Sequence, residues 1–540
     1  MSQPSPTAAP QRDGFSIADL KSGFLVFLIA LPLCLAISKA SGFPPIGGVM
    51  TAIVGGMLVT LLGSSRLTIK GPAAGLIVIA IGAVQELGAL GHADGTIDMA
   101  AGYHRALAVG AVAAVLQIVF ALLRMATLGI AMSPSVVHGM LAAIGVIIIA
   151  KQAQFVFGVD VKGSPIELLE VIPSDIVHSN WVVALIGVTS LIILFAWPLI
   201  RTKWSKAIPA QLIVLAIAVP LGLYFGLSNE HDQMFLGSSW HLTPKLLVEL
   251  PANITDAIQF PVWDVILSGT SIKYIIMFAL VGTIESTLTV IAVDSIDPEK
   301  RASDLNKDLL GLGVGNLVCA LIGGLPMISE VVRSKANIDA GARTSWSNFA
   351  HGALLLISII LIPSALHMIP TAALAAMLIY TGTRLASPKE FHHAFHIGPD
   401  QLLFFMTTLV VTLLTDLLIG VGAGLALKIL LHIARGAGIG TLFRTRIEQE
   451  RDNGELRLTI HGTAAFTSLL AVRKILAGLD ASVTRVVIDL NNVVIVDHTF
   501  MLRVNGMADE LPHATVEMIG TEDMTPASAH PHASRRRKRS

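Results

Sequence analysis

The sequence predicts an all-α polytopic membrane protein that carries a small α/β domain at its C-terminal end. Of the 540 residues, 53% are hydrophobic and only 14% are charged, whereas soluble domains carry about 25% charged residues. Runs of roughly 20 mostly apolar residues, the length that crosses a bilayer as a helix, recur between residues 20 and 435. The rest of the chain is more polar. These observations place most of the chain in a membrane.

Composition also excludes several classes of protein. Lys plus Arg and Asp plus Glu both number 37, so the net charge of zero gives no reason to expect a nucleic-acid partner. The two cysteines, Cys34 and Cys319, lie inside apolar runs and are interpreted as small core residues. The first apolar run, 24–37, lacks a small-residue cleavage site, so we expect a retained helix rather than a signal peptide.

Fourteen candidate spans can be placed along the chain, seven on each side of a long polar stretch. The third span of each group is too short to cross a bilayer alone. The first seven are 20–39, 46–63, 72–86, 105–123, 134–152, 180–198 and 207–226. The second seven are 272–294, 305–322, 329–341, 346–368, 371–384, 400–416 and 418–435.

The distribution of basic residues supports this count through the positive-inside rule. If both chain ends are cytoplasmic, Arg66, Arg124 and Arg343 face the cytoplasm, whereas the opposite loops 87–104 and 369–370 carry no Lys or Arg. An odd number of spans would scramble this pattern. We therefore predict a multi-pass protein of the cell inner (plasma) membrane with cytoplasmic N- and C-termini.

The two groups of spans repeat one another. Each contains a Gly-rich helix, a short non-helical link and a short helix that opens on small or polar residues, at 47–75 and at 311–337. Because seven is odd, the second copy is inverted in the membrane, an arrangement in which transport sites lie near the bilayer midplane. The predicted units are a cytosolic N-terminal tail (1–19), a first repeat (20–226), an extracytoplasmic connection (227–271) and a second repeat (272–442).

After residue 442 the sequence predicts a small soluble domain followed by a disordered tail. Strand-like runs at 456–460 and 486–490 alternate with helix-like stretches, which gives an α/β pattern over 443–525. The last segment, 526–540, has no periodicity and contains five consecutive basic residues. We expect it to be solvated and disordered, with contact to anionic inner-leaflet lipid as the alternative.

The strongest candidate site lies between the two short helices, spans three and ten. Span three opens with Gly71, Pro72 and Ala73; Pro fits the first turn of a helix, and Gly and Ala leave the backbone N–H groups uncovered. Span ten opens near Ser329 and carries Arg333 on its second turn. Helix N-termini offer partial positive charge and free donors, so two facing termini and one cation predict a small anion pocket. Close helix packing through the glycine is the structural alternative.

Glu285 is the second candidate, because a carboxylate inside a membrane is costly and is by default a functional hypothesis. It lies in FALVGTIESTLTVIAVD (278–294), where it would bind H⁺ or Na⁺ as a coupling ion or form a structural pair with Arg333. Thr289 is close enough on the same helix to assist. Glu330, beside the proposed anion pocket, would attract a cation or pair with a nearby basic residue.

The residues predict no metal site, no cofactor and no enzyme chemistry. His392, His393 and His396 have helical spacing, but they fall in a predicted cytosolic loop without a nearby Cys, so solvated loop histidines are the better interpretation. Neither a Walker-type phosphate loop nor a complete nucleophile motif is present, so ATP-driven transport and hydrolysis both lack support.

Four segments of the chain resemble the SulP (sulfate permease-like) family of inorganic anion transporters, within a resemblance over roughly residues 15–440. They are LPLCLAISKASGFPP (31–45), GSSRLTIKGPAAG (63–75), ESTLTVIAVD (285–294) and GGLPMISEVVRSKANIDAGART (323–344). The resemblance implies fourteen helices in a seven-plus-seven inverted repeat, core and gate subdomains, elevator-type motion and a homodimer. By motif, it places the anion at Gly71, Pro72, Ala73, Ser329, Val332 and Arg333, and the coupling ion at Glu285.

The C-terminal domain resembles a STAS domain, the usual cytosolic partner of this family. The resemblance rests on VVIDLNNVVIVDHTFM (486–501), a strand-then-helix segment. The usual Asp-Ser-Ser-Gly is replaced by Asp497, His498, Thr499 and Phe500. Thr499 would occupy the position of regulatory phosphorylation, although the missing Gly weakens this assignment. The domain is also short, so its last elements are expected to be absent.

Two functions follow from these residues. The first is secondary active transport of a small inorganic anion, bicarbonate or sulfate, coupled to H⁺ or Na⁺ or driven by anion exchange; helix-terminus donors suit both anions. The alternative is a non-transporting, membrane-anchored regulatory or scaffold protein that acts through its STAS-like domain. Arg333 and Glu285 argue against a bare anchor, which need not keep buried charges. The expected partners are the anion, membrane lipid and a second copy of the chain.

Overall fold

Helices form most of the structure as far as residue 443, and a domain built on a β-sheet follows. The predicted N-terminal tail falls almost entirely on residues outside the described part of the chain. The computed structural model describes residues 14, 16–91, 96–127, 129, 132–159, 161, 163–200, 202, 205, 208–235, 237–251, 254–479, 482–509 and 514–537.

In the first half of the helical part, four helices (α1, α4, α6 and α7) begin at residues whose side chains cap free N–H groups of the first turn. The side chain of Asp98, for example, accepts hydrogen bonds from the N–H groups of Ala100 and Ala101, both at 3.0 Å. The helices are α1 (Ile17–Ala40), α2 (Pro45–Leu62), α3 (Ile77–Ala89), α4 (Met99–Leu122), α5 (Pro134–Phe157), α6 (Pro165–Val177), α7 (Trp181–Ala196) and α8 (Ala210–Tyr224). A hairpin of β2 (His231–Phe235) and β3 (Ser238–Leu242) follows in the predicted connection.

In the second half, side chains cap the first turns of α9, α10, α15 and α17. Gly323 ends one helix in the left-handed conformation, at a φ of 96° that favours glycine. The helices are α9 (Gly269–Ile296), α10 (Leu305–Ile322), α11 (Val331–Asp339), α12 (Trp346–Leu361), α13 (Pro363–His367), α14 (Thr371–Leu385), α15 (Pro388–Ile397), α16 (Pro399–Leu414), α17 (Leu417–Ala434) and α18 (Ile439–Phe443).

Eight of the described helices are long and apolar enough to cross a membrane. They are α1, α2, α4, α5, α7, α9, α10 and α17. Four more, α3, α8, α12 and α16, are apolar but shorter. A helix lies at each position where the sequence predicts a span, which confirms the predominantly helical, membrane-type fold.

Besides the short helix α18, two described helices of the membrane part, α6 and α15, lie outside the predicted spans. α6 begins with a capping box formed by Ser164 and Glu167. In α15, Ser387 caps the first turn and Pro388 occupies it, so the prediction of a histidine-containing loop is wrong. Both helices are amphipathic and too polar for a membrane span, so a pattern of long apolar runs does not predict them. The histidines of α15 are His392, His393 and His396.

The short helices α3 and α11 are each preceded by a strand, and these two strands pair with each other. β1 (Ile69–Pro72) runs antiparallel to β4 (Met327–Glu330). The prediction that Pro72 opens a helix is therefore wrong, because Pro72 ends β1 and a 3-10 turn at Ala74–Leu76 precedes α3. Extended backbone inside a bilayer must find partners for its N–H and C=O groups, and the strand pair supplies them.

A buried ion pair attaches β1 to α10. Lys70 Nζ lies 2.6 Å from Asp308 Oδ2, and both side chains are only 3% exposed. Lys70 also donates a hydrogen bond to Ser329 Oγ in β4 at 2.7 Å. The Asp308 carboxylate accepts a further hydrogen bond from the Ser65 N–H at 3.1 Å. One ammonium group thus joins both strands to a membrane helix, and each buried charge has a partner.

The C-terminal domain forms a mixed sheet with helices packed on it. Its elements are β5 (Arg446–Asp452), β6 (Glu455–Ala464), α19 (Leu469–Ala477), β7 (Arg485–Asp489), β8 (Val493–Val496), α20 (His498–Asp509), β9 (Thr515–Ile519), β10 (Met524–Pro526) and β11 (Arg535–Arg537). The strand order is β10-β11-β8-β6-β7-β9, with β5 paired to β6. In β6, Leu456, Leu458 and Ile460 are fully buried and alternate with more exposed residues, which is the period of a half-buried strand.

The basic segment near the C-terminus is ordered as far as the structure describes it, so the prediction of a disordered tail is wrong for residues 526–537. β11 pairs with both β8 and β10. Arg537 Nη2 donates a hydrogen bond to the carbonyl oxygen of Gly520 at 2.8 Å. The arginines therefore satisfy backbone groups at the sheet edge, and the sheet extends beyond the predicted domain end at residue 525.

We expect Lys70→Met to destabilise the membrane part strongly, because the Asp308 carboxylate would stay buried without its cation. Breaking one side of a buried pair costs about 3–5 kcal/mol. Thermal unfolding of the full-length protein in detergent measures the effect. Lys335→Met is the matched control, since its pair with Asp339 is about 60% exposed and is worth at most about 1 kcal/mol. Equal losses of thermal stability in the two variants would contradict the assignment of Lys70 and Asp308 as a stabilising buried ion pair.

We also expect acidification to weaken the C-terminal domain through His498. Burial lowers the pKa of His498 to about 4, although its Nδ1 donates to the His532 carbonyl oxygen at 2.8 Å. The unfolded chain binds a proton near pH 6.5, so stability falls as the pH drops from about 6.5 toward 4, by about 2 kcal/mol at pH 5. Amide hydrogen exchange of residues 498–509 in the full-length protein measures this loss.

The control for this measurement is His498→Asn, which keeps a donor near the Nδ1 position and does not titrate. Its exchange rates, corrected for the intrinsic effect of pH, should change little between pH 7 and pH 5. An equal pH dependence in the Asn variant would show that another group is responsible.

Candidate functional site

The guanidinium group of Arg333 lies beside the end of β1. The residue is 1% exposed. Among the described residues, it donates two long hydrogen bonds, from Nη2 to the Pro72 carbonyl oxygen at 3.4 Å and from Nη1 to Cys34 Sγ at 3.5 Å. Within the described residues, Nε has no hydrogen-bond partner. A guanidinium group carries five donors, and its bonds to anions are normally near 2.8 Å. This buried cation therefore has unused capacity for an anionic ligand.

Gly71 leaves the space that the guanidinium occupies. A Cβ atom at this position would lie 2.7 Å from Arg333 Nη1, so a side chain here would displace the guanidinium. Ala73, which is 2% exposed, follows in the chain and directly precedes the turn that opens α3. The structure thus brings Gly71, Pro72 and Arg333 together at the start of α3, with Ala73 adjacent.

The N-terminal ends of α3 and α11 face each other, as the sequence predicts, but the strand pair keeps them apart. Because β1 and β4 are antiparallel, α3 leaves one end of the strand pair and α11 leaves the other. Three residue steps of a strand separate the two starts by about 10 Å. Arg333 crosses this offset, since it projects from the first turn of α11 back to Pro72. Positive charge is therefore concentrated at the start of α3.

Glu285 approaches the same segment from α9. It is 7% exposed, and its Oε1 has no hydrogen-bond partner among the described residues. A Cβ atom on Gly75 would lie 2.5 Å from both carboxylate oxygens, so the carboxylate rests against the turn that opens α3. Thr289, one helical turn further along α9, is also buried. The described structure shows no ion pair between Glu285 and Arg333, so these two groups do not neutralise each other.

Ser329 and Val332 lie in different surroundings from the residues at the start of α3. The Ser329 hydroxyl is buried and accepts the hydrogen bond from Lys70, and its N–H donates to Ser286 Oγ at 3.3 Å. Val332 is 43% exposed. The structure therefore places Ser329 in the support of the strand pair and leaves Val332 outside the cluster around Arg333. The backbone of Glu330 lies opposite Ile69, but its carboxylate is close enough to interact electrostatically with both Arg333 and Glu285.

A buried amide pair borders this region and was not predicted from the sequence. Asn316 Nδ2 donates to Gln117 Oε1 at 2.8 Å, and the Met327 N–H donates to Asn316 Oδ1 at 2.6 Å. The two amides line a cavity of about 10 Å³, which is room for one water molecule, together with Leu76 and Gly282. The available signal was the position of Gln117 within the apolar run 105–123 and of Asn316 among the apolar residues of 309–322.

The remaining predicted positions lie away from the start of α3. Thr499 is fully buried in the C-terminal domain, where its hydroxyl accepts a hydrogen bond from Lys428. No group of three or more metal-ligating side chains occurs within the described residues. His351 in α12 was not singled out by the sequence; it is fully buried, and neither ring nitrogen has a partner in the described part of the chain.

Known proteins resemble this chain over most of its length. YvdB of Bacillus subtilis, provisionally named a sulfate transporter, is 27% identical over 77% of this chain and 73% of its own length. The bicarbonate transporter BicA of Synechocystis is 27% identical over 77% of this chain and 70% of its own. The murine anion transporter Slc26a9, solved in the inward-facing state, superimposes with a TM-score of 0.65 over 94% of this chain and 85% of its own, at 16% identity, which shows a shared fold.

The family assignment rests on a match over most of the chain, not only on the segments around Arg333 and Glu285. The model of the sulfate permease family matches residues 17–408, which include α1, both strands of the buried pair and α9. Its members among the relatives named above are transporters and not enzymes. The chain therefore belongs to the sulfate permease family.

Proposed function

We propose that this protein is a secondary active transporter of a small inorganic anion, with bicarbonate or sulfate as the substrate. The observation that carries the proposal is the buried guanidinium of Arg333, which reaches the start of α3 and is left with unused donors. A helix start and a guanidinium group both stabilise negative charge, and the surrounding protein excludes competing water. The anion would bind beside Gly71, Pro72, Ala73 and Arg333, with Ser329 holding the strand pair behind it.

The proposed architecture is fourteen spans in a seven-plus-seven inverted repeat, with both termini in the cytoplasm. Helices at all fourteen predicted positions and the asymmetric distribution of basic loops support it. The two strand-plus-short-helix units, β1 with α3 and β4 with α11, support the repeat, because they occupy matching positions and run in opposite directions. We further propose elevator-type movement of a core against a gate and assembly as a homodimer.

Glu285 is the proposed coupling residue. Its carboxylate rests against Gly75 and lacks a cationic partner, so H⁺ or Na⁺ is the natural counter-charge. Thr289 lies on the same face, one turn away, and offers a hydroxyl oxygen to such an ion. Binding of the cation next to the start of α3 would raise the local affinity for an anion, which is the basis of symport.

The named relatives support bicarbonate and sulfate equally as the substrate. YvdB, with its provisional sulfate assignment, and the bicarbonate transporter BicA are each 27% identical to this chain. Uptake of labelled bicarbonate, sulfate and chloride into proteoliposomes, with and without pH and sodium gradients, tests substrate and coupling ion together. A purified, folded protein that moves none of these anions would favour the alternative, a membrane-anchored scaffold.

We expect Arg333→Ala to weaken apparent anion affinity on the order of 10- to 100-fold, because charged hydrogen bonds contribute about 1.5–3 kcal/mol. The half-saturating concentration in proteoliposome uptake is the measurement. Arg333→Lys should retain part of the affinity, since it keeps the charge but loses the planar donors. Arg343→Ala is the control, because that arginine lies outside the strand pair. An unchanged half-saturating concentration in Arg333→Ala would exclude the assigned site.

We expect Glu285→Gln to remove the dependence of uptake on the driving cation while leaving anion binding measurable. The amide fills the same space beside Gly75 but carries no charge to attract a cation. Initial uptake rates with and without a pH or sodium gradient measure the loss of coupling. Glu86→Gln is the matched control, since that carboxylate lies at the other end of α3 and pairs with Lys273. A gradient response that survives in Glu285→Gln rules out the coupling role.

A further inference from the structure

A buried ion pair joins the C-terminal domain to α17. Lys428 Nζ lies 3.0 Å from Asp497 Oδ2, and neither side chain is exposed. Lys428 also donates to Thr499 Oγ1 at 2.9 Å and lies 4.7 Å from the ring centroid of Phe466. His432, one turn further along α17, faces the same carboxylate, with 3.7 Å between Nε2 and Oδ2. One membrane helix thus presents two basic side chains to one carboxylate of the C-terminal domain.

The carboxylate is ionised in spite of its burial. Burial alone would raise the pKa of Asp497, but Lys428 and His432 outweigh this effect and hold the pKa well below its usual range. The carboxylate also accepts hydrogen bonds from the N–H groups of Phe500 at 2.6 Å and Phe466 at 3.1 Å. Losing one partner would leave the other charge buried and unpaired, so the docked arrangement is strongly favoured.

The segment beside this ion pair forms part of a gap within the membrane part. Phe466 and Leu470 line a cavity of about 470 Å³, whose other walls are formed mainly by α5, α9 and α17. On α9 the wall includes Ile284, the residue next to Glu285. The lining is almost entirely apolar, so the gap does not suit the passage of an anion.

We propose that the C-terminal domain restrains α9: the Lys428–Asp497 pair holds Phe466 and Leu470 in the wall of the gap between α9 and the helices α5 and α17. The proposal rests on the proposed function, because it concerns movement of the helix that carries Glu285. Side chains that project into a gap between helices hinder changes in the spacing of those helices. The docked domain therefore slows the relative movement of these helices and acts as an autoinhibitory contact.

The same contact shields Thr499. Its side chain is fully buried, and its hydroxyl is engaged by Lys428. An enzyme that modifies this residue can reach it only after the domain has left α17. Accessibility of Thr499 is therefore a direct report of undocking.

The test uses the full-length protein in proteoliposomes and two variants that loosen the restraint in different ways. Phe466→Ala removes the ring from the gap and leaves the ion pair intact; Asp497→Asn removes the charge at constant shape. Both are expected to raise the maximal uptake rate of labelled bicarbonate or sulfate at least threefold, with the half-saturating concentration unchanged. Asp497→Asn is also expected to increase amide hydrogen exchange in residues 464–470 and 498–509.

The control is Phe395→Ala, a substitution of the same kind at a ring that is 61% exposed on α15; its uptake rate should equal that of the unmodified protein. If the unmodified protein transports and the uptake rates of Phe466→Ala and Asp497→Asn are no higher, the restraint is overturned and the proposed function stands. Unmodified protein that transports none of the anions overturns the proposed function and the restraint with it. Hydrogen exchange that is unchanged in Asp497→Asn overturns the ion pair as the docking contact.

Discussion

Extended backbone in a low-dielectric environment is the constraint around which this structure is organised. A chain that stops being helical inside a bilayer exposes N–H and C=O groups that water cannot reach, and each unpaired group costs several kcal/mol. β1 and β4 resolve the problem by pairing with each other. Everything near the candidate site follows from this pairing: the late start of α3, the close approach of Arg333, and the need for Lys70 to bind across both strands.

Buried charges around the strand pair fall into two groups. Lys70 and Asp308 lie 2.6 Å apart, and each makes further hydrogen bonds. Their charges compensate each other and stabilise the attachment of the strand pair to α10. Arg333 and Glu285 are equally inaccessible, yet each keeps a polar atom without a partner in the described structure. A protein has no structural reason to retain such unsatisfied groups, because apolar residues of similar volume would be more stable. Glu330, whose Oε1 also lacks a partner in the described structure, belongs with them. The contrast separates the charges that hold the fold from those that we propose bind a ligand.

The sequence predicted the parts of the fold that depend on local pattern. Apolar run length located the helices, and the alternation in β6 located the C-terminal sheet. It also brought Gly71, Pro72 and Arg333 into one candidate site. The strand pairing of β1 and β4 was missed because both segments are only four residues long and owe their conformation to each other.

Contacts between distant parts of the chain could likewise not be predicted from the sequence. Lys428 reads as one basic residue near the end of an apolar run, and only the fold shows that it meets Asp497. The basic residues 535–537 have the composition of a solvated tail, but an open sheet edge beside β8 gives their backbone partners. In both cases tertiary pairing outweighed local composition.

The antiparallel pairing of β1 and β4 also has a consequence for direction. Two antiparallel strands of equal length are related by a local two-fold axis, so their backbone looks alike from the two faces of the membrane. In a carrier built on this pair, the backbone itself would give no preference for transport in one direction. Net flow would reverse whenever the combined gradients of the anion and its coupling ion reverse, and any preference for one direction would have to come from the unsymmetrical side chains, Arg333 on one strand unit and Lys70 on the other.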